Sequence, residues 1–351
     1  MTARRPFRSR SILIGASLIV AFVIVRGTAR LPVQAAQTLS SSTLVAAAAD
    51  LPQLHSLLVS WHDELAVEYY ARAVRPTGLA NIKSASKSLI STLVGIAIDR
   101  GRIKGLREPV VTYFPELKSD RDPRKREITI EDLLTMRAGL ESTSGPNYGR
   151  WVQSPDWIRF ALTRPMVADP GSAMQYSTGS SHLLSAVITR ATGMSTWQFA
   201  NEQLARPLGF SLARWPQDPQ GVYFGGNEML LTPKQMIAVG ELYLHRGVAN
   251  GRQVVPASWV DTSCVPRTTS VFDGDRQYGY GWWIQEFNGG TPCFAWGYGG
   301  QYIFVFRDLD LVVTATSSTA VSEERRGHRR RLIELVEQQI LGPVRAAHRA
   351  G

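Results

Sequence analysis

Three polar side chains in this sequence have the types and spacing needed for acyl transfer without a histidine. Ser84 and Lys87 stand three residues apart, and Tyr176 comes from a distant segment, Tyr176-Ser-Thr178. Residues three apart on a helix share a face, so the amine of Lys87 is expected beside the hydroxyl of Ser84. A serine activated by a neighbouring amine can attack a carbonyl carbon and form an acyl-enzyme. If the three side chains meet in space, Ser84 is predicted to be a nucleophile, with Lys87 and Tyr176 moving its proton.

The segment that follows Ser84 is expected to position this chemistry. Residues 84–100 are apolar on nearly every face, which is typical of a buried helix. Burial lowers the pKa of a lysine because its charged form is desolvated, so Lys87 is expected to accept a proton. The helix start favours the negative charge that develops at Ser84. A serine and lysine at this spacing also arise by chance, and it is the position at the start of a buried helix that favours catalysis.

Tyr176 lies at a junction between a turn, Pro170-Gly171, and a predicted helix, from which a side chain can point into a cleft. Beside a lysine its phenol is expected to lose a proton more readily and to relay protons to the leaving group. The alternative is a structural tyrosine that caps a loop. The nearby His182 has no acid and nucleophile at a recognisable spacing. It is interpreted as a helical histidine with satisfied hydrogen bonds, and a histidine-dependent hydrolase is a minor alternative.

A third segment, Gly297-Tyr-Gly-Gly-Gln301, places glycines at the entry to a predicted strand. Glycines there allow a ligand to approach the backbone closely. The N–H of Gln301 is a candidate oxyanion donor beside the N–H of Ser84. Taken alone, the same segment is also compatible with a simple hairpin turn.

Four segments together carry a family resemblance: KSASKSLISTLVGIAIDRG around Ser84, then residues 128–140, 170–178 and 296–302. In this order they resemble the serine β-lactamase and penicillin-binding-protein superfamily. The likeness is greatest to its class C-related serine hydrolases, which include 6-aminohexanoate-dimer hydrolases and esterases. The resemblance covers most of residues 55–320. It implies a β-lactamase/transpeptidase-like fold in which Ser84, Lys87 and Tyr176 are catalytic.

Two departures from the family pattern bear on the substrate. Thr178 stands where many relatives have asparagine, so a side-chain amide contact with substrate is missing. Tyr298, Gly299 and Gly300 stand where penicillin-binding enzymes have Lys-Thr-Gly, whose lysine helps to bind a substrate carboxylate. The resemblance therefore favours an ester or a linear amide over a β-lactam. These four residues are predicted to line the substrate site.

Two further aromatic residues are candidates for the substrate cleft. Tyr148 and Trp151 lie on or beside the Gly/Ser/Pro-rich loop that follows Leu140. They are predicted to line the cleft, and surface packing is the alternative interpretation.

The predicted strands come from both ends of the chain and enclose a helical middle. Residues 57–70 predict a β-hairpin, and later strands are predicted over 278–284, 293–296, 301–306 and 311–316. The later connections are too short for crossovers, so an antiparallel meander is expected, covered by a last helix over 323–341. The predicted fold class is α+β, an antiparallel sheet flanked by helices plus an all-α domain, with the site in the cleft between them.

The domain boundaries follow from the same patterns. Residues 51–115 and 215–345 are predicted to form a discontinuous α/β domain, and residues 116–214 the helical domain. Residues 1–36 are predicted to be a signal peptide or membrane anchor, followed by a Ser/Ala-rich linker over 37–50.

The N-terminal segment has the composition of an export signal. Arg4 to Arg10 form a positive region, Ser11 to Val25 an apolar run short for a membrane span, and Val33-Gln-Ala35 a small-residue cleavage site. Because Arg26 follows the run directly, an uncleaved inner-membrane anchor is the alternative. Either way, a periplasmic or extracellular location is expected.

Charge and cysteine content exclude some partner classes. The net charge is +10, and the first 36 residues carry six arginines and no acid, so the remainder carries +4. This distribution indicates targeting rather than nucleic-acid binding, and the arginines at 325–331 are interpreted as a solvated helix face. Cys264 and Cys293 either form a disulfide, which an exported protein permits, or remain separate thiols. No metal-binding motif is present.

The sequence therefore predicts a serine hydrolase that cleaves an ester or amide through an acyl-enzyme on Ser84. No metal or organic cofactor is expected. The expected partner is a small ester, amide or peptide substrate, and any membrane contact is expected only through the N-terminal segment. A β-lactamase or D-peptidase is one alternative. The other is a non-catalytic penicillin-binding or cell-wall-binding paralogue that kept the fold and lost turnover.

Overall fold

The computed structural model describes residues 1–3, 39, 41–288 and 290–350. The chain divides into two units, Met1–Leu31 and Pro32–Gly351, and the description below concerns the second. The predicted export segment, from Arg4 to Ala35, lies outside the described residues. Among the described residues, no helix has both the length and the apolar character that a membrane crossing requires.

An eight-stranded antiparallel sheet supports the rest of the structure. Its strands are β1 Leu54–Trp61, β2 Glu64–Tyr70, β7 Thr268–Thr269, β8 Gln277–Tyr278, β9 Trp283–Ile284, β10 Cys293–Gly297, β11 Gln301–Phe306 and β12 Leu311–Ser317. Their spatial order is β2-β1-β12-β11-β10-β9-β8-β7. Two short pairs lie outside it: β3 Ala80–Asn81 with β4 Leu230–Leu231, and β5 Val248–Ala249 with β6 Arg252–Gln253. The predicted hairpin pairs β1 with β2, and β1 also pairs with β12 from the far end of the chain.

The central strands are buried on both faces because helices cover both sides of the sheet. Every residue of β11 and β12 is buried. On one face of the sheet, Ile303 and Val312 pack in a core with the helices Ser86–Asp99 and Pro233–Leu244. On the other face, Phe304 and Val313 pack with the helices Ser41–Ala49 and Arg325–Leu335. Strands covered on both faces have near-continuous apolar sequences, as β11 and β12 do.

The helices between and around the strands have identifiable start and stop signals. Thr129 and Asp132 form a capping box, and Gly193 ends its helix in the left-handed conformation. The helices are Ser41–Ala49, Ser86–Asp99, Ile130–Leu134, Tyr148–Val152, Trp157–Leu162, Thr178–Thr192, Thr196–Ala200, Pro233–Leu244, Ala257–Ser263, Arg325–Leu335 and Gly342–Ala350. The predicted domain boundaries at 115 and 214 stay predictions.

Three sequence-based expectations about elements were wrong. The expected linker contains the helix Ser41–Ala49, because its alanines favour helix and Leu44 and Ala48 pack against the sheet core. The single strand expected over 278–284 is two strands, β8 and β9, joined by a turn. The last helix does not end at Leu341: a π-helical stretch, Val336–Leu341, leads into the helix Gly342–Ala350.

Cys264 and Cys293 form a disulfide, with their Cα atoms 5.5 Å apart. It joins the end of the helix Ala257–Ser263 to the start of β10. The loop that it closes contains β7, β8 and β9, so the cross-link restrains this edge of the sheet.

Candidate active site

Ser84 lies in a 3₁₀ turn, Lys83–Ala85, that leads directly into the helix Ser86–Asp99. The turn lies against β10 and β11. Gly297 permits this approach, since a Cβ atom there would stand 2.1 Å from the carbonyl oxygen of Ile82. The packing brings the start of the segment Gly297–Gln301 close to the half-buried Ser84.

Lys87 is buried beside Ser84. Its Nζ atom donates hydrogen bonds to Ser84 Oγ at 3.2 Å, to Thr178 Oγ1 at 3.3 Å and to the carbonyl oxygen of Gly226 at 2.6 Å. Only 3% of Lys87 is exposed, and no carboxylate is among these three partners. Burial lowers the pKa of Lys87 to about 7, so a large share of the amine is neutral near neutral pH.

Tyr176 completes the group of three. A hydrogen bond joins its side chain to Ser84, and the Nζ atom of Lys87 lies 5.1 Å from the centre of its ring. The ring stacks on Trp283 at 5.8 Å between centroids and meets the edge of Phe272 at 5.3 Å. These contacts hold the phenol in one orientation toward Ser84.

The expectation that Tyr176 loses its proton more readily was wrong. Burial raises the pKa of Tyr176 to about 12, although the hydrogen bond with Ser84 and the positive charge of Arg276 act in the opposite direction. Desolvation dominates because the phenol lies among aromatic rings and the neighbouring lysine is largely neutral. The amine is therefore the group poised to take a proton, and the phenol is poised to donate one.

The side chain of Thr178 makes its hydrogen bonds within the site and does not take the place of the substrate-contacting asparagine found in many relatives. Its Oγ1 accepts from Lys87 and pairs with Ser144 Oγ at 3.0 Å, and its backbone N–H donates to the same Ser144 hydroxyl at 2.9 Å. Thr178 therefore belongs to the hydrogen-bond network that surrounds the amine.

The segment that presents the carbonyl of Gly226 was not found from the sequence. A Cβ atom on Gly226 would lie 2.8 Å from Thr178 Cγ2, and one on Gly225 would lie 2.2 Å from the carbonyl oxygen of Ser181. The two glycines allow the segment to lie against the helix Thr178–Thr192, within reach of Lys87. The Gly-Gly pair was the available signal, although many such pairs mark only turns.

The side chain of Gln301 holds the turn in which it lies through hydrogen bonds to Ser317. Gln301 Nε2 donates to the carbonyl oxygen of Ser317 at 2.8 Å, and Gln301 Oε1 accepts from Ser317 N at 3.2 Å. Gly299 and Gly300 are buried against Ser318 and Ser317, so the close approach that they permit here is to β12 and the residue after it. The guanidinium of Arg325 lies 4.3 Å from the ring centre of Tyr298.

Of the two loop aromatics, only Tyr148 lies at the site. Its hydroxyl accepts from Asn227 Nδ2 at 3.0 Å, beside Gly226. The prediction for Trp151 was wrong: the side chain is fully buried, and its indole N–H donates to the carbonyl oxygen of Trp157 at 3.0 Å. Trp151 packs in an aromatic core with Trp157, and its ring centroid lies 5.9 Å from that of Tyr148.

His182 has the structural role that the sequence favoured. It is fully buried, its Nε2 lies 2.9 Å from Asp218 Oδ2, and its Nδ1 accepts from the N–H of Gly225 at 3.3 Å. Because Nδ1 accepts, Nε2 carries the proton and donates to Asp218. Neither nitrogen is free to activate a serine. Among the described residues, no group of three or more His, Cys, Asp or Glu side chains is arranged to hold a metal ion.

The model of the family described as "Beta-lactamase" matches residues 55–338. The chain belongs to this family. This membership confirms the resemblance drawn from the four segments, the α+β fold class with an antiparallel sheet and flanking helices, and the prediction of a serine hydrolase.

Relatives within this family include several hydrolases. The 6-aminohexanoate-dimer hydrolase of Paenarthrobacter ureafaciens is 26% identical over 302 residues, which cover 78% of this chain and 74% of that protein. Esterase EstB of Burkholderia gladioli is 29% identical over 196 residues, covering 52% of this chain and 50% of that protein. The solved structure of a penicillin-binding protein homologue from Caulobacter crescentus has a TM-score of 0.68 at 18% identity, covering 87% of this chain and 98% of that one. This last likeness concerns the fold alone.

Proposed function

We propose that this protein hydrolyses an ester or a linear amide through an acyl-enzyme on Ser84. The observation that carries the proposal is the 3.2 Å contact between Lys87 Nζ and Ser84 Oγ, made by an amine whose pKa is lowered to about 7. Such an amine is neutral often enough near pH 7 to accept the serine proton, and it is close enough to do so.

The reaction proceeds in two halves. Lys87 takes the proton of Ser84 as Oγ attacks the carbonyl carbon, and the N–H groups of Ser84 and Gln301 stabilise the oxyanion. The amine returns the proton through Tyr176 to the leaving oxygen or nitrogen, whose bond to carbon breaks. Water then attacks the acyl-enzyme while Lys87 takes a proton from it, and the proton passes to Ser84 Oγ as the acyl–oxygen bond breaks, which releases the acid and restores Ser84.

The rim of the site favours a substrate with an apolar group. Phe272 is 57% exposed, yet its ring contacts Tyr176 at 5.3 Å and Trp296 at 6.5 Å between centroids. The loop that carries it is fixed by the ion pair of Arg276 with Asp273. An exposed aromatic ring held beside the acid group would pack on an apolar acyl or aryl group of the substrate.

Labelling with a serine-reactive fluorophosphonate tests the proposal. One equivalent of label is expected on a peptide containing Ser84, and Ser84→Ala should abolish both label and turnover of p-nitrophenyl acetate. Ser88→Ala is the matched control, since Ser88 lies in the helix and its hydroxyl donates to the carbonyl oxygen of Gly281. It should keep both label and turnover. A label on any residue other than Ser84 overturns the assignment.

The same measurements distinguish an enzyme from a binder. Intact mass is measured after separate incubations with p-nitrophenyl esters, linear 6-aminohexanoate oligomers and nitrocefin. An enzyme of the proposed kind should show a transient adduct and released product with the p-nitrophenyl esters or with the 6-aminohexanoate oligomers. A lasting adduct without product would instead identify a non-catalytic binder. Rapid turnover of nitrocefin alone would identify a β-lactamase.

We also propose that the protein works outside the cytoplasm. The Cys264–Cys293 disulfide supports this location, since disulfides persist in oxidising compartments. The arginine-rich and apolar N-terminal sequence supports it as well. A fusion of residues 1–50 to alkaline phosphatase should be active in a bacterial host, and an inactive fusion that accumulates in the cytoplasm would contradict export.

A further inference from the structure

Two residues with left-handed backbone flank the catalytic group. Lys83, with φ of 50°, directly precedes Ser84, and Glu228, with φ of 67°, follows the Gly226 carbonyl that binds Lys87. Residues other than glycine rarely adopt this backbone conformation, and they keep it where surrounding contacts impose it. The two residues therefore indicate a locally enforced geometry on both sides of the Ser84–Lys87 pair.

The side chains of these two residues pair with each other. Lys83 Nζ lies 2.8 Å from Glu228 Oε1, with the two side chains 21% and 24% exposed. The other carboxylate oxygen of Glu228 accepts from Asn81 Nδ2, and Asn81 Oδ1 accepts from the N–H of Lys83 at 3.0 Å. We call Asn81, Lys83 and Glu228 the Glu228 clamp.

Further hydrogen bonds join the two chain segments that carry the clamp residues. Asn81 pairs with Leu230 in the β3–β4 ladder, and the N–H of Ile82 donates to the carbonyl oxygen of Met229 at 3.0 Å. Ser86 Oγ donates to the carbonyl oxygen of Lys83 at 2.6 Å and accepts from the N–H of Met229 at 3.2 Å. The segments 80–86 and 226–231 are therefore joined as one unit.

We propose that Lys83 and Glu228 are positioning residues that hold Ser84 Oγ within reach of Lys87 Nζ. One joined segment carries the nucleophile, and the other carries the carbonyl of Gly226 that anchors the amine. Their relative position therefore sets the 3.2 Å separation between Nζ and Oγ. Within the described residues, the side chains of Lys83 and Glu228 make polar contacts with each other and with Asn81 and not with Ser84 Oγ, so their effect on the reaction is indirect. This inference rests on the proposed function.

Charge removal and charge exchange test the clamp. Glu228→Gln and Lys83→Met are each expected to lower kcat about 10- to 100-fold, because small misplacements of reacting groups are costly. KM should stay within about 2-fold, since uniform substrate binding is unchanged. The exchanged pair Lys83→Glu with Glu228→Lys, and the conservative Lys83→Arg, should recover most of the rate because each keeps an ion pair. The fall in kcat of Glu228→Gln and of Lys83→Met should be equal for the acetate and hexanoate esters of p-nitrophenol.

Asp120→Asn provides the matched control. Asp120 is 23% exposed and pairs with Lys125 at 3.0 Å, far along the chain from the clamp, so its loss should leave kcat unchanged. Melting temperatures of all variants show whether each is folded. If folded Glu228→Gln and Lys83→Met both keep the wild-type kcat, the clamp has no positioning role. A rise in KM that differs between the two esters would overturn it in favour of a substrate contact.

The test also separates this inference from the proposed function. If the wild type takes the fluorophosphonate on Ser84 and turns over ester while the clamp variants do the same at equal rate, only the clamp fails. If the wild type is not labelled at Ser84, the proposed function fails first.

Discussion

The Nζ atom of Lys87 lies closer to the carbonyl oxygen of Gly226, at 2.6 Å, than to the Oγ atom of Ser84, at 3.2 Å. The carbonyl holds the amine beside the nucleophile without supplying the full negative charge that would keep it protonated. An amine held by a neutral acceptor in a buried site loses its proton near pH 7, whereas one paired with a carboxylate would keep it.

This arrangement predicts how activity depends on pH. The neutral form of Lys87 is the base, and its pKa is lowered to about 7, so kcat/KM should rise as the pH increases through about 7 and then level off. Tyr176, with a pKa of about 12, stays protonated throughout and should cause no fall below about pH 10. Initial rates with p-nitrophenyl acetate, corrected for spontaneous hydrolysis, give the profile. A midpoint above about pH 9 would contradict a lysine base of lowered pKa.

The same pKa predicts how stability depends on pH. Between about 7 and the ordinary value of 10.5, Lys87 is protonated in the unfolded chain and largely neutral in the folded one. The unfolded state therefore binds more protons, and this residue makes the free energy of unfolding rise with pH in that window. The stability of Lys87→Met relative to the wild type should fall by a few kcal/mol from about pH 7 to pH 10, since each pKa unit corresponds to about 1.4 kcal/mol. Urea unfolding of both proteins at each pH measures this, and parallel curves would refute it.

Removing the hydroxyl of Tyr176 should affect turnover rather than folding. Tyr176→Phe keeps the ring contacts with Trp283 and Phe272 and loses the proton donor. We expect kcat to fall about 100-fold or more, the usual contribution of general acid catalysis, with little change in melting temperature.

Tyr278→Phe is the matched control for that change. Tyr278 is buried 6.4 Å from Tyr176 between ring centroids, and within the described part of the chain its hydroxyl has no hydrogen-bond partner. Its removal should leave kcat unchanged and should not destabilise the fold. Equal losses of kcat in the two variants would show that ring packing, not the Tyr176 hydroxyl, limits the rate.

Phe272 should set the preference for acyl chain length. Phe272→Ala is expected to lower kcat/KM for p-nitrophenyl hexanoate about 10-fold and to change the value for acetate by less than about 2-fold, because only the longer chain reaches the ring. The neighbouring Val271 is 56% exposed, against 57% for Phe272, and makes no such ring contact with Tyr176. Val271→Ala should therefore act on both esters alike, and an equal loss on both esters in Phe272→Ala would exclude a role in chain-length preference.

The disulfide should contribute mainly to stability. Cys264 and Cys293 are separated by 29 residues, and closing a loop of that size stabilises a fold by about 3–4 kcal/mol in the chain-entropy estimate. The double variant Cys264→Ser with Cys293→Ser should unfold at lower urea concentration while keeping measurable esterase activity in the absence of denaturant. Equal unfolding midpoints with and without the disulfide would contradict the estimate.

Local patterns were enough to place several elements. The capping box of Thr129 and Asp132, the stop at Gly193 and the limits of β11 follow from residues within a few positions of one another. The shared face of Ser84 and Lys87 has the same origin, because their spacing matches a helical turn. Tyr176 was a candidate from the turn–helix junction that carries it, but no local pattern joins it to the other two, and the family resemblance placed it at the same site.

Only the tertiary structure determined which side chains are buried, in which direction their pKa values shift and which distant residues form ion pairs. The sequence alone left Trp151 as a cleft residue and gave Tyr176 the wrong direction of pKa shift, since burial depends on which distant segments cover a side chain. It also did not reveal that Glu228 pairs with Lys83 across a separation of 145 residues. Desolvation and ion pairing act between groups that meet only in the folded chain, so spacing along the sequence carries little information about them.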